Sequence, residues 1–201
     1  MSGMTLPNIL TGLRFILVPV IMIFILSDRM EQQFLGTFLF ILAALTDHLD
    51  GKIARRRRQV TQFGKFADPL ADKLLTLSVF VAIVLRQELA SIAIYLAIWV
   101  GIIAVREIGI TGLRIWAIKR GTPVITSWWG KAKTTAQLIT IIFTLVILNF
   151  RQFVMRFPES AAYYPGDQAV IYTVHALIFI SMVLAVISGV LYLNKNRLEL
   201  G

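Results

Sequence analysis

Six long apolar runs, at about residues 9–26, 33–55, 68–86, 91–118, 132–150 and 169–193, constrain this chain more than any other feature. Each is close to the roughly 20 mainly apolar residues that an α-helix needs to cross the hydrocarbon core of a bilayer. Inside that core every backbone N–H and C=O must be satisfied within the segment, which leaves the helix as the spanning form for runs of this length. Composition agrees: 57% of the 201 residues are hydrophobic and 15% are charged, and the mean hydropathy of +0.76 lies outside the range of ordinary soluble domains. The sequence therefore predicts an all-α integral membrane protein of six transmembrane helices with an N-terminal interfacial segment. It has no internal repeat, low-complexity run or long polar linker, so residues 1–201 are expected to form a single membrane domain. The first run contains Arg14 and Pro19 and ends at Ser27-Asp28-Arg29 without a small-residue cleavage site, so it reads as a retained span.

Six spans put both termini on one side. That side, with the segments 52–73 and 106–133, holds 16 of the 20 Lys and Arg and six of the acids, a formal charge of +10. The other side has Arg29, Arg86, Arg151 and Arg156 against five acids, or −1. Lys and Arg gather on the cytoplasmic side of membrane proteins, which predicts cytoplasmic termini in a bacterial inner (plasma) membrane. A pI near 10.3 then reflects anionic headgroups or phosphorylated substrates beside the spans, and no nucleic acid. The absence of cysteine removes disulfides and thiolate metal sites, leaving oxygen ligands and the two histidines, His48 and His175. Oxygen favours magnesium, manganese or calcium. Local signals predict a turn at Thr5-Leu6-Pro7-Asn8 before the first helix, a break at Gly121-Thr122-Pro123, and a non-cytoplasmic loop from Phe157 to Gln168.

Four aspartates, Asp47, Asp50, Asp68 and Asp72, interrupt the apolar pattern at the predicted cytoplasmic face. A buried carboxylate costs several kcal/mol unless it is paired or bound to a cation. On helices, residues three or four apart share a face, so Asp47 converges with Asp50 and Asp68 with Asp72. Gly51, the run Arg55 to Arg58 and Gly64 are polar enough to turn the chain at the interface and bring the pairs together. Four carboxylates suit two divalent ions that also bind a pyrophosphate. Pairing with nearby Lys and Arg accounts for any single aspartate but imposes no such spacing. Gly51 leaves a gap beside Asp50, Ala54 keeps the next turn small, Arg55 offers a planar fork for phosphate oxygens, and Thr61 adds a hydroxyl. Arg56, Arg57 and Arg58 read as topology anchors.

The run D-x-x-D-G-x-x-A-R, eight residues, then G-x-x-x-D-x-x-x-D resembles the signature of the CDP-alcohol phosphotransferases, with all eight signature positions filled between Asp47 and Asp72. Six spans with a cytoplasmic site agree with that family's architecture. The resemblance implies two divalent cations, Mg2+ or Mn2+, on Asp47, Asp50, Asp68 and Asp72, with Asp72 also deprotonating the acceptor hydroxyl. It implies a CDP group surrounded by Gly51, Ala54, Arg55, Thr61 and Gly64. His48 stands where an aromatic residue is common in the family, and faces away from Asp47.

A second polar set, Arg106, Glu107, Thr111 and Arg114, falls near the end of the fourth run, followed by Lys131 and Lys133. Arginine in an apolar span is costly. Arg106 and Arg114 lie about two turns apart on similar faces, fit for a cationic pocket around a phosphorylated alcohol; interhelical pairing or snorkelling is the alternative. Glu107 balances charge or orients a neighbour. The stretches 106–114, 130–134 and 6–14 resemble the branch of the family that joins CDP-diacylglycerol to glycerol 3-phosphate. An inositol phosphate or a second phospholipid would also need a cationic pocket. A divalent-cation transporter would carry acids across the whole bilayer, whereas the outer halves of these spans are nearly uncharged. Trp128 and Trp129 read as an interfacial belt, and His175 as a satisfied packing residue. Gly109 and Gly112 are expected to permit close helix packing and a homodimer.

Overall fold

The computed structural model describes residues 6–57, 62–120 and 128–200. Six α-helices account for nearly all of them: α1 Leu6–Ile25, α2 Met30–Arg57, α3 Gln62–Val84, α4 Ala93–Lys119, α5 Trp128–Arg156 and α6 Asp167–Leu200. Two 3-10 turns, Gln87–Ile92 and Pro158–Tyr163, lie in the α3–α4 and α5–α6 connections, and no strand occurs among the described residues. Among those residues Gln87–Ala117, Ala132–Arg156 and Asp167–Asn196 are long and apolar enough to cross a membrane. Helices α1, α2 and α3 contribute the shorter apolar stretches Gly12–Ile25, Met30–Thr46 and Lys73–Val84.

The helices coincide with the apolar runs in number and order, but their ends differ. Leu6-Pro7-Asn8 is already part of α1, where a turn was predicted; a proline in the first turn lacks an N–H that would have had no partner anyway. The predicted loop from Phe157 is largely a 3-10 turn, and α6 begins at Asp167, an acidic residue suited to the positive end of the helix dipole. Gly121-Thr122-Pro123 lies outside the described residues.

Each helix buries a stripe at helical spacing. On α4 the buried residues are Leu96, Val100, Ile103, Glu107, Ile110 and Ala117; on α6, Val170, Val174, Ile178, Ser181, Ala185, Ser188, Tyr192 and Asn196. Both follow steps of three, four or seven residues, the signature of one packed face. The outward faces carry large apolar side chains such as Val105, 76% exposed, and Ile108, 64% exposed. Apolar outside and partly polar inside is the pattern of a protein surrounded by acyl chains, where helices gain from packing and interhelical hydrogen bonds. Asn149 of α5 donates to Thr37 Oγ1 of α2 at 2.8 Å in this interior.

Helix α3 is central, packing against α1, α4 and α5, while α1 also packs on α2, and α6 on α4 and α5. The shared core includes Phe40, Phe80, Ile83, Ile103, Leu145 and Ile178. Close approach of α2 to α1 depends on Gly36, where a Cβ would lie 3.0 Å from both the Ile25 nitrogen and the Phe24 Cβ. Gly109 and Gly112, predicted to serve close packing, are exposed and meet nothing within 4 Å. Small residues look alike in sequence whether they face a helix or a groove. His175 does pack, its ring 4.3 Å from that of Trp99, but its Nε2 has no hydrogen-bond partner, so it is not satisfied as predicted.

One end of the bundle is tied by Arg86, buried just after α3. Its Nε and Nη2 grip the Glu88 carboxylate at 3.0 and 2.7 Å, Nη1 donates to the Ile25 carbonyl at 2.9 Å, and Nη2 donates to Gln33 Oε1 at 2.9 Å. Gln152 donates to Glu88 Oε1 at 2.6 Å. These bonds join α1, α2, the α3–α4 connection and α5. Beside them, Arg151 pairs with Asp167 at 2.8 Å and Tyr164 donates to the same carboxylate. Burial, with help from that hydrogen bond, pushes the Tyr164 hydroxyl up to about 12.

Candidate active site

The backbone carries the aspartate signature on two consecutive helices. Asp47 and Asp50 lie one turn apart on α2, with Gly51, Ala54 and Arg55 following; Gly64, Asp68 and Asp72 lie on α3. Their side chains, and Thr61 altogether, lie outside the described residues. Helix α1 packs against both α2 and α3, the two helices that carry the signature. Asp72 sits between two described neighbours: Ala71 is buried in the core, and Lys73 reaches to α4. Among the described residues no group of three or more Asp, Glu, His or Cys converges as a metal site.

The second polar set centres on Glu107. The buried stripe of α4 brings position 107 inward, where an apolar side chain would be the default; a carboxylate there, 2% exposed, requires partners. It has four. Oε2 takes Lys73 Nζ of α3 at 3.2 Å. Oε1 takes Arg106 Nη1 at 3.1 Å, Lys133 Nζ of α5 and Gln137 Nε2 at 3.3 Å. Three cations from three helices thus share one buried carboxylate. Lys73 and Lys133 have further partners besides Glu107.

Arg106 and Lys133, two of the four residues predicted to bind an acceptor phosphate, are therefore brought together. Arg106 also donates from Nη2 to Ser188 Oγ of α6 at 2.9 Å, and its Nε is buried without a partner. Arg114 lies further along α4, with its guanidinium carbon 5.9 Å from the Tyr192 ring centroid of α6 and an unpartnered buried Nε. The Lys131 side chain lies outside the described residues. Sequence reasoning missed Lys73, Gln137 and Ser188, and gave Glu107 only the role of balancing charge or orienting a neighbour. A signal did exist for Glu107, since positions 96, 100, 103, 107 and 110 form an inward stripe, and a buried carboxylate implies cations on neighbouring helices.

The fold and these residues define a class: a polytopic helical membrane protein with four aspartates on two consecutive helices and three cations gathered on one buried carboxylate. Residues 4–191 match the family model of the CDP-alcohol phosphatidyltransferases, and the chain belongs to that family. It is 35% identical over 201 residues to a protein of Escherichia coli named CDP-diacylglycerol–glycerol-3-phosphate 3-phosphatidyltransferase, spanning 97% of this chain and 96% of the relative. A relative of the same name from Bacillus subtilis is 34% identical over 204 residues, spanning 95% and 94%. Another from Haemophilus influenzae is 39% identical over 138 residues, spanning 68% and 72%.

Proposed function

We propose that the chain transfers a phosphatidyl group from CDP-diacylglycerol to glycerol 3-phosphate, giving phosphatidylglycerophosphate and CMP. The observation that carries this reading is identity of 34% and 35%, along nearly the whole chain, to relatives named for that reaction. The cluster of Lys73, Arg106 and Lys133 on Glu107 supports an acceptor that bears its own phosphate. Choline and ethanolamine would give a cationic pocket nothing to bind, and serine would offer it only a carboxylate.

The acceptor hydroxyl attacks the phosphorus of the phosphatidyl group. A P–O bond forms to the acceptor, the P–O bond to CMP breaks, and Asp72 takes the hydroxyl proton. The donor set of Asp47, Asp50, Asp68 and Asp72 consists of hard carboxylate oxygens at helical spacings of three and four residues, which fits divalent Mg2+ or Mn2+. Bound there, two such ions would neutralise the pyrophosphate and the departing CMP. Gly51, Ala54, Arg55, Thr61 and Gly64 surround the CDP group, and Arg106, Arg114, Lys131 and Lys133 hold the acceptor phosphate. In this reading all six helices span a bacterial inner membrane, both termini and the site are cytoplasmic, and the protein acts as a homodimer.

The test gives purified protein CDP-diacylglycerol and magnesium and compares CMP release with glycerol 3-phosphate, inositol phosphate, serine and phosphatidylglycerol. Glycerol 3-phosphate alone should stimulate release. Stimulation by another alcohol instead would reject the acceptor, and no release with any of them would reject the transferase.

A further inference from the structure

We propose that Ser188 and Gly189 of α6, with Glu107 of α4, are positioning residues that fix the aim of Arg106 and so set the affinity for the acceptor's phosphate; this rests on the acceptor pocket proposed above. The stem of Arg106 lies directly over Gly189. A Cβ built on that glycine would stand 3.2 Å from both Arg106 Cγ and Nε and 3.8 Å from Cδ. The first two distances are shorter than the roughly 3.5–4.0 Å at which non-bonded heavy atoms attract best, so a methyl group there displaces the arginine stem. The next residue back, Ser188, is buried and accepts from Arg106 Nη2 at 2.9 Å, while Glu107 accepts from Nη1 at 3.1 Å.

Glycine thus admits the side chain between α4 and α6, and the two acceptors set its rotation. Each terminal guanidinium nitrogen carries two N–H bonds, so the bonds to Ser188 and Glu107 leave one on each for a phosphate oxygen. Two-point recognition of phosphate by arginine depends on that orientation more than on charge alone. Lys133 on the same Glu107 carboxylate brings a second cation to the same place. The cavity between α4 and α6, about 600 Å³, is lined by both Gly189 and Gly101. The two differ in one respect: a Cβ on Gly101 meets nothing within 4 Å. Gly101 therefore provides an internal control for the methyl group itself.

The experiment measures KM for glycerol 3-phosphate, KM for CDP-diacylglycerol and kcat in Gly189→Ala, Gly101→Ala, Ser188→Ala, Arg106→Ala and the double variant Arg106→Ala/Gly189→Ala. Gly189→Ala should raise KM for glycerol 3-phosphate on the order of tenfold, the scale of one weakened charge-assisted hydrogen bond, and leave KM for CDP-diacylglycerol within about twofold. Ser188→Ala should raise the same constant by a smaller factor, and Gly101→Ala should change neither. With Arg106 already reduced to alanine no stem remains to be displaced, so adding Gly189→Ala should have no further effect. The inference is overturned if Gly189→Ala raises both Michaelis constants alike, lowers only kcat, or adds its full effect to Arg106→Ala, each of which marks a packing lesion. Should Gly189→Ala fail to fold, Ser188→Ala decides: an unchanged KM for glycerol 3-phosphate overturns the proposal. Wild-type protein that releases no CMP with glycerol 3-phosphate would refute the acceptor reading itself, a separate result.

Discussion

Two buried charge clusters, centred on Arg86 and on Glu107, use the same residue types to opposite ends. Thirteen residues of chain separate Lys73 from Arg86, about 20 Å if the helical rise is kept. The Arg86 cluster pairs one guanidinium with one carboxylate in two-point fashion and directs further N–H bonds to a carbonyl and an amide. The Glu107 cluster gathers three cations on one carboxylate and leaves a buried guanidinium N–H of Arg106 unpartnered. A closed network rigidifies the bundle, since every desolvated polar group has a partner. The Glu107 cluster is the one that the proposed function assigns to the acceptor's phosphate. The difference lies in completeness: the Arg86 guanidinium has a partner on each of its three nitrogens, whereas Arg106 keeps a buried Nε without one.

Mutations can break this division. The largest expected effect lies on the signature itself: Asp72→Asn should lower CMP release by about 10²- to 10⁴-fold, the usual contribution of a positioned proton acceptor, with little change in the unfolding midpoint. Normal turnover would remove Asp72 as the base. Next, Arg86→Ala should cost about 1–3 kcal/mol of stability by leaving the half-buried Glu88 carboxylate without its cation, read by denaturant unfolding in detergent, while both Michaelis constants of the folded protein stay put. A rise in KM for glycerol 3-phosphate in that variant would dissolve the distinction between the clusters.

Glu107→Gln sharpens it from the other side. Removing the shared charge should raise KM for glycerol 3-phosphate by about tenfold and cost about 1–3 kcal/mol of stability; a loss of stability with an unchanged KM would make the inner cluster structural too. The smallest effect belongs to Arg151→Ala. Its partner Asp167 has a side chain 47% exposed, and pairs at such sites contribute about 0.2–1 kcal/mol, so a drop in unfolding free energy beyond that range would mean the pair belongs to the closed network.

Much of the fold was legible because a bilayer permits few solutions. Apolar runs of spanning length must be helices, and the six observed helices coincide with the six runs. Their ends were less legible: Leu6 and Asp167 begin helices where turns were read, because first-turn geometry tolerates proline and favours an acid. The aspartate signature is read from spacing and resemblance, and its side chains lie outside the described residues. Glu107 was half visible, since its inward position follows from the α4 stripe, whereas the identity of its partners depends on how α3 and α5 align against α4. Ser188 and Gly189 were invisible for the same reason. Nothing in the local sequence of α6 states which residue of α4 lies opposite, and Gly109 and Gly112 looked at least as suitable for a contact that they do not make within the chain.

The central claim, that the Glu107 cluster receives the phosphate of the acceptor, is tested most directly by comparing glycerol with glycerol 3-phosphate as acceptors in wild-type protein and in Arg106→Ala. The wild type should prefer the phosphorylated alcohol strongly in kcat/KM, and Arg106→Ala should narrow that preference by about 10- to 100-fold, chiefly by weakening the reaction with glycerol 3-phosphate. A preference that survives intact without the Arg106 guanidinium would contradict the account.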